Sequence, residues 1–236
     1  MDMRLPWRTD RRDLLLAGLI AVGLLGLFVA VQRVSVSSYD SKIALATARA
    51  IAAGHLHLDP ADDYYKRNLP YSHYGIGTPL LILPLYLLQR ALRLRLNLLT
   101  TLANPLLLAA CGGLLVLCGR ELGWSRRLSL ATGLVFGALT MALQASEDVL
   151  SEPGVAFGTA LVVLGMLRWR AGRVSGSWLA GLGVGAGLLF RSDSALLLGV
   201  GLLLLPALVP WRRLLRERWA WVGLALPILA AALWTS

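Results

Sequence analysis

The sequence predicts an all-α protein, a polytopic bundle of transmembrane helices, and three observations carry that expectation. Of the 236 residues, 57% are hydrophobic and 15% charged, whereas a domain that folds in water carries about 25% charged residues. The apolar residues gather into long runs, giving a mean hydropathy of +0.66. The 23 basic residues, which set a formal net charge of +10, fall in short clusters between those runs, as topology signals do. No Lys/Arg-rich tail and no basic stretch interleaved with aromatics is present, so a nucleic-acid partner is not expected.

Seven runs read as spans: 14–31, 96–118, 128–143, 153–167, 177–190, 195–209 and 219–234. Several are shorter than the roughly 20 residues a helix needs to cross, so they must borrow flanking residues or thin the bilayer. No small-residue cleavage site follows 14–31, which reads as a retained helix and not as a secretory signal. Between the first and second spans lies a long polar loop, 35–74. Within it, 41–53 is rich in Ala, Ile and Leu, carries Lys42 and Arg49 on one helical face, and stops at Gly54; it is expected to be an interfacial amphipathic helix. An eighth apolar run, 76–92, contains Pro79 and Pro84 and is expected to lie along the membrane as a bent juxtamembrane helix. Cys111 and Cys118 share one span, about 10 Å apart in helical rise, too far to bond to each other. Gly181, Gly183, Gly185 and Gly187 lack the spacing of a nucleotide loop and suit close helix packing.

The distribution of arginines decides whether 76–92 crosses. With the N-terminus inside and 76–92 not crossing, the cytoplasmic side holds Arg4, Arg8, Arg11, Arg12, Arg120, Arg126, Arg127, Arg168, Arg170, Arg173, Arg212, Arg213, Arg216 and Arg218, fourteen of the 23 basic residues. If 76–92 crosses, the cytoplasmic total falls to eight. The positive-inside rule favours the first arrangement. It places the loop 35–74, the acidic turn from Ser146 to Glu152 and the turn Arg191-Ser192-Asp193 together on the outer side.

At these residues a resemblance becomes visible. The chain has an N-terminal span, a loop opening with Tyr39-Asp40, an Ala-rich helix ending near Gly54-His55-Leu56, and Tyr74-Gly75-Ile76-Gly77-Thr78-Pro79 leading into an apolar helix. Leu150-Ser151-Glu152-Pro153-Gly154 and Gly187-Leu188-Leu189-Phe190-Arg191 follow in order. This succession resembles the type-C (GT-C) glycosyltransferases, in particular bacterial aminoarabinose- and mannosyltransferase-like members. The resemblance implies one GT-C-like transmembrane module over 1–236, with 35–95 as an outer loop carrying juxtamembrane helices. It implies a bacterial plasma-membrane enzyme whose active site faces outward. The activity it implies is transfer of a sugar from a polyprenyl-phosphate donor to a hydroxyl of a lipid, glycan or protein acceptor, with inversion in a single displacement. Two departures stand out. Ser41 follows Asp40 where familiar members place a second acid, which puts a divalent-cation contact in doubt. Family enzymes also continue past seven spans, so the chain is expected to hold the shared N-terminal module of a longer enzyme.

Such a transfer needs a carboxylate to take the acceptor proton and cations to stabilise the leaving phosphate. By the resemblance, Asp40 is the expected base and Glu152 a second carboxylate that orients the acceptor or the loop. Lys66, Arg67, His73, Tyr74 and Arg191 are the expected substrate and phosphate ligands. Each has a plainer reading. Asp40 could cap a helix beginning at Ser41, Glu152 before Pro153 is an ordinary helix start, and Arg191 could snorkel from a span end. His55, His57, Asp59 and His73 alternate in a way that could hold a metal, but no metal or other cofactor is assigned. A transporter or lipid flippase, or a non-catalytic membrane subunit, is the alternative. A transporter should carry ionisable residues near the bilayer midplane, whereas these acids sit at span edges.

Overall fold

A computed structural model describes residues 9–32, 36, 38–60, 72, 75–94, 97–194, 222 and 225. Among them every regular element is helical and no strand occurs. The helices are α1 (Arg11–Val31), α2 (Tyr39–Ala52), α3 (Gly77–Ala91), α4 (Ala103–Glu121), α5 (Arg126–Leu139), α6 (Ala142–Ala145), α7 (Glu152–Arg170) and α8 (Val174–Phe190). The sixth and seventh expected spans, 195–209 and 219–234, lie outside the described residues apart from Val222 and Ala225.

Among the described residues two helical segments are long and apolar enough to cross a membrane. These are Arg11–Val31, with mean hydropathy 2.8, and Thr100–Glu121, with 1.9, which joins a 3-10 turn to α4. α1 has the length, about 30 Å for its 21 residues. It begins with a reciprocal cap in which Asp13 N donates to Asp10 Oδ1 (2.8 Å) and Asp10 N to Asp13 Oδ2 (3.2 Å).

Several boundaries differ from the sequence reading. From Asn97 on, the run 96–118 becomes helical at the 3-10 turn Thr100–Leu102, where the Thr100 and Thr101 hydroxyls donate to the Asn97 carbonyl and tighten the entry. The run 128–143 is not one helix. α5 stops at Leu139, where Thr140 adopts extended backbone, its hydroxyl donating to Phe136 O and accepting from Ala142 N, and a single turn, α6, follows. α2 begins earlier than expected: Ser38 is its N-cap, its Oγ accepting from Ser41 N, so Asp40 lies in the first turn and is not the cap. Nor does α2 have one dry and one wet half. Ser41, Ile43, Ala44, Leu45, Ala46, Thr47, Ala48 and Ala50 are buried around its circumference, leaving Lys42 and Arg49 on the exposed strip.

α4 is the central element, packed against α1, α5 and α7, while α7 and α8 pair along their length. Small residues permit the close approaches. A Cβ on Gly158 would stand 2.6 Å from Gly183 O and 2.8 Å from Gly187 N, and one on Gly113 would stand 2.9 Å from Ala17 O. Glycines 183 and 187 thus serve helix packing, as their setting in an apolar run suggested. Cys111 and Cys118 are buried free thiols.

Consecutive helices of this bundle run in opposite directions and define two ends. One gathers the start of α1, the α4–α5 connection and the α7–α8 connection. The other gathers the end of α1, the start of α4, the segment 140–152 and the end of α8. α3 belongs wholly to the second end. At its start, Gly75 and Gly77 lie so close to the backbone of Leu189 and Phe190 that neither tolerates a Cβ, and near its finish Gln89 Oε1 accepts from Leu99 N at 3.1 Å. Both ends of α3 therefore return to the same end of the bundle. α2 packs on α3, with Ala44, Leu45 and Ala48 sharing a core with Ile82, Ala103 and Val149.

Candidate functional site

The two ends carry opposite chemistry. At the first, Asp13 Oδ1 accepts from Arg120 Nε at 3.1 Å and Arg126 Nε at 3.0 Å, and Arg126 also reaches Asp10 at 2.8 Å. Glu121 Oε1 accepts from Thr9 Oγ1 at 2.7 Å, Arg168 Nε at 3.2 Å and Arg173 at 2.8 Å. The Asp13 and Glu121 side chains are 1% and 2% exposed, and their arginines shield them from solvent. This end is a polar lock between helices.

The second end contains a cavity of about 800 Å³. Its walls are Leu108 from α4, Phe136 from α5, Met141 and Leu150, and Pro153 and Ala156 from α7. Among the described residues its ionisable lining is Glu147, Asp148 and Glu152. Leu108 brings α4, which packs on both α5 and α7, into the cavity lining. The acidic turn is positioned from beneath by Asn104, fully buried in the first turn of α4. Its Nδ2 donates to Asp148 O at 2.6 Å and to Ala145 O at 3.2 Å.

Asp148 ties this turn to the segment leaving α1. Its Oδ2 accepts from Ser38 N at 2.9 Å and its Oδ1 from Val149 N at 2.8 Å. Burial pushes its carboxyl up, but hydrogen bonds from Ser41, Val149 and Ser38 outweigh that and hold it below the ordinary aspartate value.

Glu152 opens α7, followed by Pro153 in the first turn, where a carboxylate suits the positive end of the helix dipole. Arg191, just past α8, donates to Glu152 Oε1 at 2.6 Å and grips Asp193 with Nε (3.1 Å to Oδ1) and a terminal nitrogen (2.9 Å to Oδ2). These three side chains are 41–58% exposed. The Arg191 guanidinium beside Asp193 lowers that carboxyl's pKa, and Asp193 in turn raises the arginine's, with Glu152 adding to the rise.

The structure thus brings Glu152 and Arg191 together, but as partners of each other. Asp40 stands in the first turn of α2, two residues after the Ser38 that binds Asp148, and is not one of the residues lining the cavity. Lys66, Arg67, His73 and Tyr74 lie outside the described residues. His55 and His57 stack on each other with ring centroids 4.4 Å apart, and His55 Nδ1 bonds the His57 carbonyl at 2.9 Å. Among the described residues no three His, Cys, Asp or Glu side chains group as a metal site. Asp148 and Asn104 are not among the site residues the sequence points to. The signals for them are the acidic turn as a whole and an Asn inside an apolar run just before Pro105, where a polar side chain calls for a buried partner. No family model, curated protein or solved structure matches the chain.

Proposed function

We propose that the protein is a polytopic membrane glycosyltransferase, its N-terminus cytoplasmic, that moves a sugar from a polyprenyl-phosphate donor to an acceptor hydroxyl at the outer membrane face. The observation that carries this reading is the cavity at the acidic end: apolar walls suited to a lipid chain, with carboxylates in the lining, of which Asp148 is tied to the segment after α1. The uneven ends support the orientation. Arg11, Arg12, Arg120, Arg126, Arg127, Arg168, Arg170 and Arg173 stand at the end opposite the cavity, as the positive-inside rule asks of a cytoplasmic face. The return of α3 to its starting end supports a non-crossing helix.

In this reading Asp40 takes the acceptor proton as the acceptor oxygen attacks the anomeric carbon, and the lipid phosphate departs with the bonding electrons. Glu152 orients the acceptor. Lys66, Arg67, His73 and Tyr74 would meet the phosphate, and Arg191 would join them by exchanging one of its carboxylates. The test is transfer by the purified protein from radiolabelled polyprenyl-phosphate sugars. Asp40→Asn keeps size and hydrogen bonding and should reduce transfer by roughly 10²- to 10⁴-fold, with a milder loss for Glu152→Gln. Near-normal transfer by the Asp40→Asn protein removes Asp40 as the base, and no transfer from any donor overturns the reading.

A further inference from the structure

We propose that the cavity over α4 takes the apolar chain and protonated amine of an amino-bearing amphiphile, and does not take a phosphate head. The argument starts from its lining. Leu108, Phe136, Met141 and Ala156 offer hydrocarbon, and the ionisable groups are Glu147, Asp148 and Glu152, with no basic side chain among the described lining residues. The volume of about 800 Å³ lies within the ~300–1,000 Å³ of small-molecule sites. Charge complementarity then selects the head group, because a phosphate at this mouth would face three carboxylates, whereas an ammonium would be drawn to them.

Arg191 does not reverse that field. Its guanidinium is shared between Glu152 and Asp193, so the exposed trio keeps a net negative charge. Asp148 is held ionised by its amide and hydroxyl donors. Met141 and Leu139, beside the cavity at the end of α5, are 80% and 77% exposed, leaving an apolar approach by which a chain can enter from the side.

The inference rests on the transfer reading in one respect: the occupant is the acceptor, carrying an amine near its nucleophilic hydroxyl, and the donor phosphate is met by Arg191, which is not among the described lining residues of the cavity. Binding itself can be tested without transfer. The full chain in phosphatidylcholine nanodiscs is photolabelled with three dodecyl probes bearing a diazirine in the chain and an amine, an alcohol or a phosphate at the head, and labelled peptides are mapped by mass spectrometry. The amine should label residues 136–156 at least tenfold more than the alcohol or phosphate. That labelling should fall at least tenfold in the Glu147→Gln/Glu152→Gln protein and weaken with added salt. Equal labelling by the phosphate or the alcohol overturns the proposal in the unaltered protein, whatever the variant does. Amine labelling that survives in the double variant also overturns it. The transfer assay on the same preparation separates the two readings. Carboxylate-dependent amine labelling without transfer sinks only the transferase, and transfer with the phosphate probe in the cavity sinks only this inference.

Discussion

The two ends of the helical bundle hold similar side chains in opposite circumstances. At the arginine-rich end, carboxylates sit among the ends of five helices, where Asp13 and Glu121 bond arginines of neighbouring helices and connections and the segment before α1. At the acidic end, Glu152, Arg191 and Asp193 pair at the surface, and Glu147, Asp148 and Glu152 face a cavity. The difference teaches that ion pairing alone does not mark function. A carboxylate buried among helices against its arginines is closed to a substrate, whereas one paired at the exposed edge of a cavity can change partners.

The comparison breaks most readily at Glu121. Replacing it with Ala leaves Arg168 and Arg173 crowded without their shared anion, and stability should drop by about 3–5 kcal/mol, read as a lower Tm in detergent. A small change there would mean that the lock is slack. Gly158→Ala tests the packing that joins the ends. Its Cβ would press on Gly183 O at 2.6 Å and Gly187 N at 2.8 Å, so α7 and α8 must part, at about 1–3 kcal/mol. At the acidic end, Glu152→Gln should leave the Tm essentially where it was, since exposed pairs contribute little. A large fall would make this pair structural and weaken its candidacy as a site.

The smallest effect is expected with pH. Asp148 has a depressed pKa in the folded chain, so the stability it lends is fully present above the ordinary value of 3.8 and disappears as pH falls through its lower folded value. Protection of the α2 amides, taken relative to the intrinsic exchange rate at each pH, should stay level from neutral pH to about 5 and fall below 3.8, and Asp148→Asn should remove that step. A step that persists in Asp148→Asn would locate the titration elsewhere.

The sequence made some of this legible and hid the rest for physical reasons. Apolar runs located α1, α4, α7 and α8, and Pro153 marked the start of α7, because hydrocarbon content and a missing amide act locally. The break at Thr140 was hidden inside the run Ala138-Leu139-Thr140-Met141-Ala142, since whether a threonine continues a helix depends on which carbonyl its hydroxyl meets. The burial of α2 was hidden by its two cations, which suggested an interface. The alanines at 44, 46, 48 and 50 were the better signal, being small enough to let neighbours close in on all sides. Of the candidate site, Glu152 and Arg191 were legible as polar residues at run ends, but their pairing spans 39 positions and depends on how α7 and α8 pack.

The return of α3 to its starting end has a consequence for how such a chain can change. A segment that leaves and re-enters by the same face has no effect on the direction of any helix that follows. The excursion from Ser38 to Leu94 could be lengthened, exchanged or replaced by a plain linker, and α4, α5, α7 and α8 would keep their handed sequence of passes. An insertion of one crossing helix anywhere else would turn every later loop to the opposite side. Variation in that excursion therefore leaves the bundle's parity intact, and it falls on none of the described residues that line the cavity.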